Sequence, residues 1–168
     1  MPRFRRHFGY NQTVFLTLVT GNRQPWLRPP REKHGAVNVL RKIPERFDIR
    51  NSAYVILDDH LHWLLQAGSA DIPRLVTAFK QRMNFDRRDA GLAWRRLWQK
   101  RYFDHVIRDE NDFRIHLDYI HYNPVKHGYV PSASKYPWSS FQGWVRRGVY
   151  ESDWGINTAP EVGNLEFE

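Results

Sequence analysis

DDHLHWLLQ, residues 58–66, alternates without a break. In an extended chain Leu61, Trp63 and Leu65 share one side, and His60, His62, Leu64 and Gln66 share the other. Two histidines at this spacing lie about 7 Å apart at Cα and project in the same direction. Two readings are open. The histidines are the polar edge of an amphipathic strand, or they are two metal ligands in need of a third. Imidazole binds divalent transition metals well, whereas a hard ion such as Mg2+ prefers oxygen donors.

The flanking sequence places this strand in a fold. Upstream, DIRNSAYVIL (48–57) ends as a strand, and Asp58-Asp59 makes a turn, so the two strands form a hairpin. TVFLTLVT (13–20) is rich in β-branched residues and is a further strand. Residues 32–47 read as a helix, with Val37, Leu40, Ile43 and Phe47 at helical spacing. Asp71 is placed to cap a helix over 71–88, with Pro73 in its first turn. YFDHVI (102–107) is a fourth strand, and residues 110–123 are a third helix. From Pro124 onward the chain reads as loop. The order β-α-β-β-α-β with one extra helix predicts an α+β, ferredoxin-like fold: a four-stranded antiparallel sheet with two helices on one face. Leu61, Trp63 and Leu65 then face those helices, and His60 and His62 face an open side of the sheet. Residues 1–150 are expected to form the domain and 151–168 a flexible C-terminal tail.

Composition narrows the partner. The chain of 168 residues suits one domain. With no cysteine it excludes disulfides, thiolate zinc sites and cysteine nucleophiles. No run approaches the length of a membrane span, and no apolar segment follows the basic start, so neither a membrane partner nor a secretory signal is expected. Lys and Arg number 26 against 18 Asp and Glu, a net charge of +8 that points to a polyanion. The basic residues alternate with aromatics in RFRRHF, WRRLWQKRYF and WVRRGVY. Aromatic faces stack on unpaired bases while Arg and Lys hold phosphates, so nucleic acid is the expected partner.

The third helix bears on the histidines. In ENDFRIHLDYIHYNPVKHG, Phe113, Leu117 and Ile120 mark an apolar stripe, and Asp112, His116, Tyr119 and Asn123 mark a polar one beside it. If the apolar stripe packs on the sheet edge, the polar stripe turns toward His60 and His62. Tyr119 is then a phenol near a metal site, and Asn123 offers an oxygen one turn on. Pro124 disfavours helical geometry at Asn123, so the helix is expected to end or kink there. The competing view is that the helix tyrosines only pack. A tyrosine oxygen can attack a phosphodiester and conserve its bond energy in a phosphotyrosine, and a metal beside it would polarise the phosphate.

HLH on a strand, followed by DYIHYNPVKHGYV, resembles the HUH single-tyrosine transposases, and more narrowly the REP-associated tyrosine transposases of bacteria. LWQKRYFDHVIRDENDF and YPWSSF extend the resemblance over about residues 10–144. It implies that His60 and His62 are paired ligands, Asn123 the third, and Tyr119 the catalytic nucleophile. It also implies Mg2+ or Mn2+ as cofactor and no ATP. The expected substrate is a single-stranded hairpin of repetitive extragenic palindromic DNA, cut and rejoined beside a guide tetranucleotide by a monomer in the bacterial cytoplasm. One departure stands out. The family often has Pro and then Asn or Glu before the first histidine, where this chain has Asp58 and Asp59.

The basic residues take positions in that scheme: Arg3, Arg5 and Arg6 at the hairpin foot or guide, and Arg82, Arg95, Arg96, Lys100 and Arg101 along the strand. Lys126 and His127, just past the tyrosine helix, are better placed to touch phosphate. His105 and His116 are expected to pack or hydrogen-bond rather than to ligate. The acidic end, NLEFE, is read from its charge as a segment that folds back over the basic DNA face. The alternatives are a non-catalytic module that holds structured DNA or RNA, and another HUH endonuclease such as a replication initiator or relaxase. The short chain and the Tyr-x3-Asn helix favour the transposase.

Overall fold

A computed structural model describes residues 9–89, 97–156, 162, 165 and 167, without the side chains of 86–89. Its centre is strand β1, Gln12–Val19. On one side β1 pairs antiparallel with β3, His60–Ala67, and on the other with β4, Phe103–Val106. Strand β2, Ile49–Ile56, completes the sheet, in the order β2-β3-β1-β4. The hairpin, the strand order and the antiparallel ladders agree with the sequence expectation of a ferredoxin-like sheet.

One face carries helices α1, Pro30–Lys42, and α2, Ile72–Asp89. Asp71 caps α2 by accepting the Arg74 amide at 3.0 Å. Leu16, Leu18, Leu61, Trp63 and Leu65 pack under these helices with Leu40, Leu75 and Phe79. Each fully buried aliphatic or aromatic side chain of this kind contributes roughly 1.5–3 kcal/mol. Helix α1 stops earlier than its apolar spacing suggests. Pro44 takes the chain into a single 3-10 turn, Ile43–Glu45, because it lacks the N–H that another α-turn requires.

The other face is not open, which corrects the sequence expectation. Helix α3, Glu110–Lys126, lies across it with Leu117, Tyr119 and Ile120 packed on Phe15, Val55 and Leu64. The segment after α3 adds Tyr136, Phe141 and Tyr150 to this second core. His60 and His62 are consequently interior residues, 2% and 0% exposed. Strands buried on both faces read as near-continuous apolar runs, and LHWLLQA does so once the histidines are counted as interior.

Two further expectations fail locally. Helix α3 continues through Pro124 to Lys126. Proline removes only the bond to the Ile120 carbonyl, and the His127 amide still donates to the Asn123 carbonyl at 3.0 Å. The stretch beyond is not all loop. It holds a 3-10 turn, Ala133–Lys135, and helix α4, Phe141–Val145. Between them a strap covers the free edge of β2. The Ile56 amide donates to the Trp138 carbonyl at 2.9 Å, the Ser140 amide donates to the Tyr54 carbonyl at 3.0 Å, and Val55 bridges Ser139. The strap thereby pairs edge groups that otherwise invite association. The bulge at Ser52 is used as well: its carbonyl accepts the Trp144 indole N–H at 3.0 Å.

Of the tail, residues 151–156, Val162, Leu165 and Phe167 are described, and Trp154, Val162, Leu165 and Phe167 pack against the second core. No helix among the described residues is long and apolar enough to cross a membrane.

The strap gives a stability prediction. The buried Tyr136 hydroxyl donates to the Ile56 carbonyl at 2.6 Å. Tyr136→Phe should lower unfolding stability by about 1–2 kcal/mol in urea titrations, as expected for an interior hydrogen bond whose acceptor is left behind.

Candidate functional site

The site forms where β1, β3 and α3 meet. Register places Thr17 opposite His62 and Val19 opposite His60. The two imidazole rings lie 4.9 Å apart, and the Tyr119 ring is 5.1 Å from that of His62. Tyr119 is 1% exposed and Asn123, one turn further along α3, is 0% exposed. His60, His62 and Tyr119 are therefore neighbours in one buried layer, and Asn123 is buried one helical turn further along. Tyr119 packs against Phe15 at 6.2 Å between rings, and Phe15 stacks on His62 at 5.4 Å.

Each histidine has its Nδ1 occupied. Asp59 Oδ1 accepts from His60 Nδ1 at 2.7 Å. This bond is the largest cause holding the Asp59 carboxyl below the usual carboxylate range. At His62 the partner is Thr17, whose Oγ1 lies 2.9 Å from Nδ1. That hydroxyl gives its single proton to the Phe167 carbonyl at 2.7 Å, so it accepts from His62. In the neutral form of each ring Nε2 is then the nitrogen that carries the lone pair. The Asn123 side chain, wholly buried, has no hydrogen-bond partner for its oxygen or its nitrogen among the described residues. An orphaned buried amide is costly. Two imidazoles with Nδ1 engaged and one such amide are a donor set that fits a divalent ion.

The two aspartates of LDDH diverge. Asp58 turns to the 3%-exposed Lys33, whose Nζ is 2.7 Å away, and to Arg28 Nε at 2.9 Å. Lys33 also sits over the Trp138 ring at 4.8 Å. Asp58 thus secures α1 to the hairpin, and Asp59 alone faces the histidines.

The basic positions separate as clearly. Lys126 Nζ lies 5.3 Å from the centre of the Tyr119 ring, and the His127 ring 5.6 Å from that of His60. Arg82 is exposed on α2, beyond the opposite face of the sheet, with its guanidinium over Phe85. Lys100 and Arg101 are exposed just before β4. Arg3, Arg5, Arg6, Arg95 and Arg96 lie outside the described residues.

Sequence reasoning missed Thr17 and Phe167. A strand threonine is too common to mark a site, although register with His62 identifies it once the sheet is known. Phe167 reaches the tyrosine from the far end of the chain. Its amide donates to Tyr119 Oη at 3.3 Å, and its ring lies 4.9 Å from the Tyr119 ring. Lys126 Nζ donates to the Leu165 carbonyl. Among the described residues, the tail's contacts with the site run through main chain and an aromatic ring; Glu166 and Glu168, on which the charge argument rested, lie outside the described residues.

A second polar group, His105, Asp112 and His116, has ligand atoms within 4.8 Å of one another. Most of its atoms already pair with one another, and the buried His116 Nε2 is left without a hydrogen-bond partner among the described residues. His105 Nε2 lies 2.8 Å from Asp112 Oδ2, which also accepts from the Arg108 amide and guanidinium, and His116 Nδ1 donates to the Asp112 carbonyl at 2.8 Å. The network ties β4 to the first turn of α3, about two turns before the tyrosine.

Known proteins resemble this chain over most of its length. The family described as "Transposase IS200 like" matches residues 9–123. The REP-associated tyrosine transposase of Escherichia coli K12 is 35% identical over 159 residues, covering 92% of this chain and 91% of that protein. A Haemophilus influenzae relative is 33% identical over 169 residues, covering 94% and 95%. The solved structure of a REP-associated tyrosine transposase bound to a REP hairpin superposes with a TM-score of 0.82 at 29% identity, covering 99% of this chain and 96% of that one. A Deinococcus radiodurans structure shares the fold at a TM-score of 0.51, with 21% identity over 68% of this chain. The chain belongs to the IS200-like transposases, in the REP-associated tyrosine transposase branch. It is a DNA-binding enzyme of the transposase class that works through a tyrosine nucleophile.

Asp112 makes the network measurable. Burial opposes its ionisation, but hydrogen bonds from His105 and Arg108 outweigh it and hold the carboxyl at about 2. A depressed carboxylate pKa stabilises the fold fully above the unfolded value near 4, and this stabilisation is lost as pH falls toward 2. Asp112→Asn should cost about 2 kcal/mol at neutral pH and flatten the fall in urea midpoint between roughly pH 4 and 2.

Proposed function

We propose that this chain cuts and rejoins single-stranded DNA at a folded hairpin, with Tyr119 as the nucleophile. The supporting observation is the meeting of Tyr119 with the His60–His62 pair in one buried layer, 5.1 Å between the tyrosine and His62 rings, with Asn123 buried one helical turn beyond the tyrosine. The substrate is a REP-type hairpin, in keeping with the hairpin held by the solved relative. The chain acts as a monomer in the bacterial cytoplasm. Residues 1–150 carry the activity, and the last eighteen form a movable tail.

Tyr119 Oη attacks the phosphorus of a scissile phosphodiester. The bond to the upstream 3′ oxygen breaks, that oxygen takes up a proton in place of the one lost by the phenol, and a 5′-phosphotyrosine links protein to DNA. Attack by another 3′ hydroxyl reverses the step and rejoins the strand, so no high-energy cosubstrate is needed. His60, His62 and Asn123 would hold a divalent ion, Mg2+ or Mn2+, whose chemistry is to polarise the phosphate and offset charge in the in-line transition state. Lys126, beside the tyrosine ring, and His127, beside His60, meet the phosphate's negative charge. Arg82, Lys100 and Arg101, with Arg3, Arg5, Arg6, Arg95 and Arg96, supply the wider electrostatic attraction that a net charge of +8 provides.

The tail must leave for this to occur. Phe167 donates to the oxygen that attacks, and its ring covers the nucleophile. Phe167→Ala should therefore raise the rate of adduct formation roughly three- to tenfold, the equivalent of about 1 kcal/mol of released contact. An unchanged rate in quenched time courses would dismiss the cover.

The central test is a covalent adduct. Wild-type protein incubated with labelled hairpin DNA and Mn2+ should give a gel-stable complex, and Tyr119→Phe should give none. Cleavage retained in that variant would end the proposal. The double variant His60→Ala with His62→Ala should lose cleavage and keep most hairpin affinity in mobility-shift titrations, because affinity rests on phosphate contacts elsewhere.

A further inference from the structure

We propose that Asp59 is a positioning residue: its carboxylate fixes the tautomer and the ring orientation of His60, so that Nε2 is the nitrogen presented to the ion. The inference rests on the metal-dependent function above and concerns a residue at which this chain departs from the sequence usual before the first histidine.

Three observations carry it. The first is geometric. Asp59 Oδ1 and His60 Nδ1 are 2.7 Å apart, the carboxylate side chain is 24% exposed and the ring 3% exposed. A carboxylate can only accept, so Nδ1 holds the proton and Nε2, which is buried, holds the lone pair. The second is that Asp59 is itself anchored. Its carbonyl accepts the Thr20 amide at 2.8 Å, and its other oxygen lies 3.4 Å from Arg23 Nη1. Arg23 reaches it from a turn in which Asn22 and Arg23 have φ of 52° and 49°. Left-handed backbone costs about 1 kcal/mol per non-glycine residue, so two in succession mark a turn kept for where it sends its side chains. The third is the contrast with Asp58, whose carboxylate is spent on Lys33 and Arg28 and touches neither histidine.

The two ligands are thus supported unequally. His62 leans on a hydroxyl, His60 on a carboxylate. A carboxylate behind a ligating histidine locks the ring and raises the basicity of the far nitrogen, and losing such a partner typically costs 10- to 100-fold in metal affinity.

The test uses the full chain in two measurements. Long-range proton–nitrogen spectra of the histidine rings, taken above the histidine pKa, report the tautomer without any metal. Loss of the free Mn2+ signal in electron paramagnetic resonance titrations reports affinity. Wild-type His60 should show the Nδ1–H tautomer. Asp59→Ala should show mixed tautomers and bind Mn2+ at least tenfold more weakly, with hairpin affinity unchanged. Asp59→Asn, which keeps an acceptor, should hold the tautomer and lose less affinity, and it serves as the second variant if Asp59→Ala does not fold. Asp58→Ala should lower thermal stability and leave tautomer and affinity alone.

An Asp59→Ala protein with wild-type tautomer overturns the positioning role. Altered tautomer with wild-type Mn2+ affinity overturns its link to the ion. Wild-type protein that binds no Mn2+ overturns the metal-dependent function, and the ring spectra still decide on Asp59.

Discussion

The register between β1 and β3 is the constraint on which the rest depends. Eight consecutive pairs, Gln12 with Ala67 through Val19 with His60, fix which side chains of both strands face each layer. A slip of one residue would exchange every side chain between faces. Trp63 would then leave the α1–α2 core, and both histidines would enter it with no acceptor opposite them. Correct register instead sets Thr17 against His62 and leaves His60 at the end of the ladder, next to the Asp58-Asp59 turn. The polar partners of both rings follow from strand pairing, not from a loop that must find them.

Placing two histidines in a covered layer raises a problem that the surrounding residues solve. A buried polar group without a partner costs about 1–3 kcal/mol. Asp59 and Thr17 each satisfy one nitrogen. Deeper along α3 the same logic binds His116 to the Asp112 carbonyl and His121 to Ser140 at 2.8 Å. Burial keeps His121 neutral, its pKa pushed down to about 3. Asn123 is the exception, with both amide atoms unmet. Among the described residues His116 and His121 each lack a partner at one nitrogen, whereas Asn123 lacks one at both of its polar atoms, so stability is given up most at that position, as binding sites commonly do.

Much of this was legible before the structure. Alternation in TVFLTLVT and HLHWLLQ, the Asp-Asp turn and helical spacing in the last helix were enough for the sheet and for bringing Tyr119 beside the His60–His62 pair. The covered second face was not legible, because its lid is assembled from scattered aromatics. Tyr136, Phe141 and Tyr150 have no shared period, and they come from the end of a 3-10 turn, a short helix and the segment beyond it. The continuation of the helix through Pro124 was hidden for another reason. Proline forbids one hydrogen bond, and in a last turn few bonds remain to be lost. Thr17 and Phe167 illustrate the limit of spacing arguments, since one is ordinary in a strand and the other is distant in sequence from everything it touches.

Strict alternation sends Asp59 and His60 to opposite faces, yet the two side chains are hydrogen-bonded neighbours. The turn resolves this. Asp59 precedes the first residue of β3 and is not bound by the strand's pleat, so its carboxylate is free to fold back onto the ring that follows it. Asp58, one residue earlier, is claimed by Lys33, whose ammonium is too deeply buried to be left without a carboxylate. Had Lys33 been absent, either aspartate could have served His60, and the hairpin turn would have had two competing arrangements. The buried lysine, though nowhere near the tyrosine, removes that ambiguity: by engaging Asp58 it leaves one carboxylate, in one geometry, behind the first histidine.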